Sequence, residues 1–139
     1  MRVNQAFRFE LDPNALQRRA LAQHVGAARF AWNWALVLCL KALEEGKKLP
    51  TAAELHKAWN LWKRENAPWW TEVSKCAPQE AIRDLERAFK AWRKGKARLP
   101  RFKRKKLTLD NKARLTGSVR VFPRHVQLPR IGKVRSRSR

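Results

Sequence analysis

Apolar residues follow a strand-like alternation at the start of the chain, helical spacing through its middle, and short strand-like runs at its end. Ala6-Phe7-Arg8-Phe9-Glu10-Leu11 alternates in type and predicts a short strand. Asp12-Pro13 then supplies an N-cap and a favoured first helical residue. Leu16, Ala20, Leu21 and Val25 form the stripe of a first helix, which Gly26 is expected to stop. A second helix places Phe30, Trp34, Val37 and Leu38 on one side and ends near Gly46. Thr51-Ala52-Ala53-Glu54 is a capping box that opens a third helix, with Leu55, Ala58, Trp59 and Trp62 inward. Pro68 and Trp69-Trp70 read as a packed connection. A fourth helix starts around Pro78, buries Ile82, Leu85, Phe89 and Trp92, and stops at Gly95.

After Pro100 the texture changes. Ser118–Phe122, His125–Leu128 and Ile131–Val134 predict short strands divided by prolines and a glycine, and Ser136 to Arg139 reads as a frayed tail. These strands hold too few apolar residues to stand alone, so they are expected to pair with the N-terminal strand. The fold class is therefore α+β, mainly α.

Charge changes the picture most. The 139 residues carry a formal net charge of +22. Self-repulsion at that density opposes compaction, and a polyanion relieves it, nucleic acid before an anionic membrane. Seven Trp and six Phe nevertheless provide the mass of a core. The cations are unevenly placed: Arg101 to Arg139 contains fourteen Lys or Arg and one acid, Asp110. No apolar run is long enough to span a membrane, and Met1 to Gln5 leads into no signal-peptide core, so a cytoplasmic, nucleoid-associated location is expected. Cys39 and Cys76 lack metal-ligand spacing and read as reduced, buried thiols.

Three stretches are candidates for chemistry. In Arg101-Phe102-Lys103-Arg104-Lys105-Lys106, the five cations Arg101, Lys103, Arg104, Lys105 and Lys106 suit phosphates. Phe102 is expected to anchor this run in the core rather than to stack on a base. The helical pair from Pro13 to Leu43 has the outline of a helix-turn-helix, but Ala27 to Leu43 offers few polar side chains to read base edges, which favours core packing. Lys75 and Gln79, four residues apart, can share a helical face from which Lys suits guanine and Gln adenine. His24, His56 and His125 have no ligand spacing, no carboxylate cluster suits a two-metal site, and no glycine-rich phosphate loop exists. No catalytic residue, metal ligand or cofactor is expected.

Five stretches in order resemble the N-terminal region of TnpB, the accessory transposase and RNA-guided nuclease of IS200/IS605 transposons, related to type V CRISPR effectors. They are Phe7-Arg8-Phe9-Glu10-Leu11-Asp12-Pro13; Gly26-Ala27-Ala28-Arg29-Phe30-Ala31-Trp32-Asn33-Trp34-Ala35-Leu36; Ala81-Ile82-Arg83-Asp84-Leu85-Glu86-Arg87-Ala88-Phe89-Lys90; Pro100-Arg101-Phe102-Lys103; and Val126-Gln127-Leu128-Pro129-Arg130-Ile131-Gly132. The resemblance implies a four-helix recognition lobe (12–99) inserted into a split small β-barrel, the wedge, formed by 1–11 and 100–139. It implies guide RNA and target DNA as partners, and places Lys75 and Gln79 where the family has base-reading residues. The family's aromatic near the start of the third helix has no counterpart; Thr51 and Ala52 stand there. Its RuvC nuclease and zinc ribbon are absent from these residues, so the expectation is binding without catalysis. A stand-alone helix-turn-helix regulator and a non-functional remnant of a transposase are the rival readings. Oligomeric state is not legible.

Overall fold

The computed structural model describes residues 6, 8–107, 110–117 and 119–137. Among them the chain forms strand β1 (Glu10–Asp12), helices α1 (Ala15–Glu44), α2 (Ala52–Asn66) and α3 (Cys76–Arg93), and strands β2 (Arg120–Val121), β3 (His125–Leu128) and β4 (Gly132–Arg137). A 3₁₀ helix over Pro68–Glu72 carries Trp69 and Trp70 between α2 and α3.

The expected four helices are three, because α1 runs unbroken through Gly26. A glycine inside a helix costs only about 1 kcal/mol relative to alanine. Here it is outweighed by a continuous buried stripe: His24, Ala27, Ala28, Ala31, Trp32, Ala35, Leu36 and Cys39. The alanines set the phase of that stripe and let α3 approach closely. Leu16, expected inside, is therefore 80% exposed, and Val37 also points outward. The cap differs as well. Asp12 belongs to β1, and Asn14 caps α1: its Oδ1 accepts the Gln17 N–H at 2.9 Å while Gln17 Oε1 accepts the Asn14 N–H at 3.0 Å. The Thr51–Glu54 capping box of α2 forms as expected. Gly46 and Gly95, just past α1 and α3, take positive φ of 68° and 71°, which stops both helices.

α1 and α3 enclose the core with Leu55 and Trp59 of α2, against Ala77, Ala81, Ile82, Leu85 and Phe89 of α3. Trp59, 2% exposed, is the centre of an aromatic group with Phe30, Trp34, Trp62 and Trp69. The segment after α3 returns across it, where Arg114 reaches Glu80 at 2.7 Å and Asp84 at 2.8 Å.

The strands form one antiparallel sheet in the order β1-β4-β3-β2. The N-terminal strand does pair with the C-terminal part, through Glu10–Arg137, Leu11–Ser136 and Asp12–Arg135. It lies later than the expected 6–11, and Phe7 is outside the described residues. β4 extends to Arg137, so Ser136 and Arg137 are ladder residues rather than tail; Ser138 and Arg139 are outside the described residues. β2 is shorter than expected, with Ser118 likewise outside. β1 and β2 are not paired with each other among the described residues, so the sheet is open. Two side chains tie it to the helices: Gln17 Nε2 donates to the Lys133 carbonyl at 2.7 Å, and Arg130 Nη1 to the Thr71 carbonyl at 2.6 Å.

Candidate nucleic-acid interface

The basic run at 101–106 is held against α1 by hydrogen bonds to its backbone. Trp32 Nε1 donates to the Arg101 carbonyl at 2.9 Å. The Asn33 carboxamide brackets Lys103, accepting its N–H at 2.8 Å and donating to its carbonyl at 3.0 Å. On the far side, Asp110 is 3% exposed and accepts both guanidinium arms of Arg101, at 2.9 and 2.8 Å, and the Arg104 N–H at 2.7 Å. Hydrogen bonds from Arg101 and then from Arg104 hold the Asp110 carboxyl down at about 2. Asn111 donates to the Lys105 carbonyl and accepts from Arg29.

This clamp sorts the five predicted phosphate contacts. Arg101 is committed to Asp110. Lys103 lies with Nζ 4.1 Å from the centroid of the Trp32 ring, and burial lowers its ammonium below the ordinary value. Arg104, Lys105 and Lys106 point outward and are exposed. Phe102 does not anchor the run; it is 44% exposed. The inward position falls instead to Lys103, whose Nζ lies over Trp32 and whose stem can cover the ring.

Lys75 is the N-cap residue of α3 and Gln79 lies one turn on, its N–H donating to the Lys75 carbonyl at 3.3 Å. Lys75 is exposed and Gln79 half-buried, with the Gln79 carbonyl 3.0 Å from His56 Nε2. Lys63 belongs to the same neighbourhood: burial, then Arg64, then Lys75 lower its ammonium, which sits 4.6 Å over the Trp70 ring. Lys63 and Arg64 were not singled out from sequence; the signal was a basic last turn of α2 ahead of the Trp pair.

A third basic surface lies on the strands expected to be basic, though none of its residues was singled out from sequence. The strand register places Leu11, Val121, Val126, Leu128 and Val134 on one sheet face, with Val126 and Val134 buried. The opposite face then carries Arg120, His125, Gln127, Lys133, Arg135 and Arg137, with Glu10 and Asp12 at the β1 edge. All of its cations are exposed. Lys133 Nζ lies 4.4 Å over the Phe122 ring, and Arg137 reaches Asp12 at 3.5 Å. The alternation of valine with arginine and lysine in β4 was the available signal.

Among the described residues no three of His, Cys, Asp and Glu come together as metal ligands, and no helix is long and apolar enough to cross a membrane. His24 is buried in the helical body. Both cysteines are free thiols. Burial pushes Cys39 up to about 11, whereas a hydrogen bond to Thr116 is the main cause that lowers half-buried Cys76.

Residues 1–48 match the family described as a helix-turn-helix domain, of the IS605 OrfB type. Two Mycobacterium tuberculosis proteins, MT2953 and Rv2885c, are each 39% identical over 95% of this chain and 34% of their own length. InsQ of Escherichia coli is 33% identical over 76% of this chain and 26% of its own. The names of all three propose an RNA-guided DNA endonuclease. By these matches the chain is similar to the N-terminal region of IS605-type, TnpB-like transposon proteins. It spans about a third of the length of the curated relatives it matches. Among the described residues of the matched 48, the structure has one strand and one continuous helix where the family's description names a turn.

Proposed function

We propose that this chain binds guide RNA and target DNA as the N-terminal part of an RNA-guided DNA endonuclease, holding nucleic acid while strand cleavage belongs to residues outside it. The helical body acts as the recognition lobe and the sheet as the wedge. The observation that carries the reading is the division of the sheet into an apolar inner face and a cationic outer face of Arg120, Lys133, Arg135 and Arg137. A solvated surface has no need of so one-sided an array, and phosphates repay it through counterion release. Arg104, Lys105 and Lys106 add a second phosphate-binding group. Lys75, with Lys63 and Arg64 beside it, is the group that approaches bases together with Gln79.

The continuous α1 favours this reading over a stand-alone helix-turn-helix regulator, since its 27–43 half is spent on the core. Fluorescence anisotropy across a salt series tests it. A protein neutralising six to ten phosphates loses about 10³-fold or more in affinity between roughly 50 and 200 mM salt. Charge reversal of Lys133 and Arg135 together should flatten that slope. Salt-independent affinity, or none, refutes the proposal. Incubation of the chain with Mg²⁺, RNA and DNA should yield no strand breaks.

A further inference from the structure

The 101–107 segment combines a hydrogen-bonded backbone with two large apolar side chains left in solvent. Phe102 is 44% exposed and Leu107 42% exposed, and they line one concavity with Arg101 and Arg104. Looseness does not explain this. The backbone between them is held by Asn33, Asp110 and Asn111, and Leu107 N–H donates to the Arg104 carbonyl at 3.1 Å. The usual arrangement is inverted, with the lysine at 103 tucked over Trp32 and the phenylalanine at 102 turned outward. Nothing within the described chain gains from exposing the ring. A ligand that covers it does.

We propose that Phe102, flanked by Leu107, is a stacking platform for one unpaired nucleobase, with Arg104, Lys105 and Lys106 on the adjoining phosphates. An aromatic ring beside cations is the combination that binds single strands without sequence preference, because every base has a face to stack. A continuous duplex keeps its bases stacked on each other and offers Phe102 nothing but backbone. The site therefore selects a single-stranded segment or the unpaired end of a duplex. Both RNA and DNA supply that chemistry. The concentration of cations beside the ring argues for a nucleic acid rather than a protein occupant. The pre-formed clamp means little ordering entropy is lost on binding.

This inference rests on the nucleic-acid reading above, and one experiment separates the two. The full chain is titrated with a single-stranded DNA, a single-stranded RNA of the same sequence and a blunt duplex, each carrying 2-aminopurine. Phe102→Ala should weaken single-strand binding by roughly five- to a hundred-fold and leave duplex binding within about twofold. Phe102→Trp should restore both affinity and the change in 2-aminopurine emission. The RNA and DNA arms identify which strand the platform prefers. Phe102→Ala that binds single strands as tightly as the parent, or weakens the duplex equally, overturns the platform and leaves the nucleic-acid reading standing. A parent chain that binds none of the three overturns both. Because the ring is exposed, an unchanged melting curve for Phe102→Ala will show that the fold is intact.

Discussion

His24 and Ser74, fifty residues apart, are joined inside the helical body: His24 Nε2 accepts the Ser74 backbone N–H at 2.9 Å, and Nδ1 stands 2.7 Å from the Ala20 carbonyl. Only the tautomer with its proton on Nδ1 fills both roles. The ring thereby secures the entrance to α3, immediately before Lys75, from the middle of α1. His24→Leu keeps the volume but leaves a buried N–H unpaired, and should cost about 1–3 kcal/mol. His24→Gln, which still offers an acceptor, should cost less. Urea denaturation of both variants measures it, and a leucine variant as stable as the parent would show the hydrogen bond to be dispensable.

The clamp around Asp110 has a definite pH signature. Its folded-state value is depressed, about 2 against an ordinary 3.8. The stability it contributes is complete above about pH 4 and is lost as pH falls through the folded value near 2. Thermal melts between those limits should therefore fall more steeply for the parent than for Asp110→Asn, which has no carboxylate to titrate. In the same variant the amides of Arg104 and Lys105 should exchange faster at neutral pH. Parallel acid profiles for the two proteins would remove Asp110 from the account of the loop.

Much of this was legible in the sequence where local signals agreed with the packing. The capping box at Thr51, the glycine stops at Gly46 and Gly95, and the His125–Leu128 strand are each specified by a few adjacent residues. The pairing of the two chain ends was legible because neither set of strands could bury a face alone. What failed was the weight given to Gly26. A glycine is a local stop only when no long-range packing opposes it, and the alanine stripe of α1 pairs with α3, some fifty residues away. The loop at 101–106 failed differently. Composition identifies its cations, but which ones reach solvent depends on Asn33, Trp32 and Asp110, and nothing in the run itself reveals those partners.

The sheet needs its first strand. β4 is flanked by β1 and β3, and β1 supplies the partner for Arg135, Ser136 and Arg137. Removing residues 1–12 takes away that edge while the α1–α2–α3 core retains all its buried side chains. Hydrogen exchange on the deletion should show helical amides protected as before, with protection lost first at 135–137 and then across β3 and β4. Full protection of 125–137 in the deletion would mean that the hairpin stands without the N-terminal strand, and the split-sheet arrangement would lose its physical basis.

Gly26 distinguishes the continuous helix from a helix-turn-helix by the sign of one substitution. In the structure its backbone is helical, and a Cβ there would meet only Arg29 Nη2, at 3.8 Å, an ordinary contact. Gly26→Ala should then stabilise the protein by about 0.5–1 kcal/mol, because alanine loses less backbone freedom on entering a helix. A turn that needs positive φ at residue 26 reverses the sign, since alanine is strained there and the loss exceeds that gain. Chemical denaturation of this one variant, with Gly46→Ala as the reference for a glycine that does hold φ at 68°, reads the answer directly. Stabilisation at 26 alongside destabilisation at 46 confirms a single helix from Ala15 to Glu44. Destabilisation at both would place a turn in the matched segment and return the second half of α1 to the role of a separate helix, free to enter a groove.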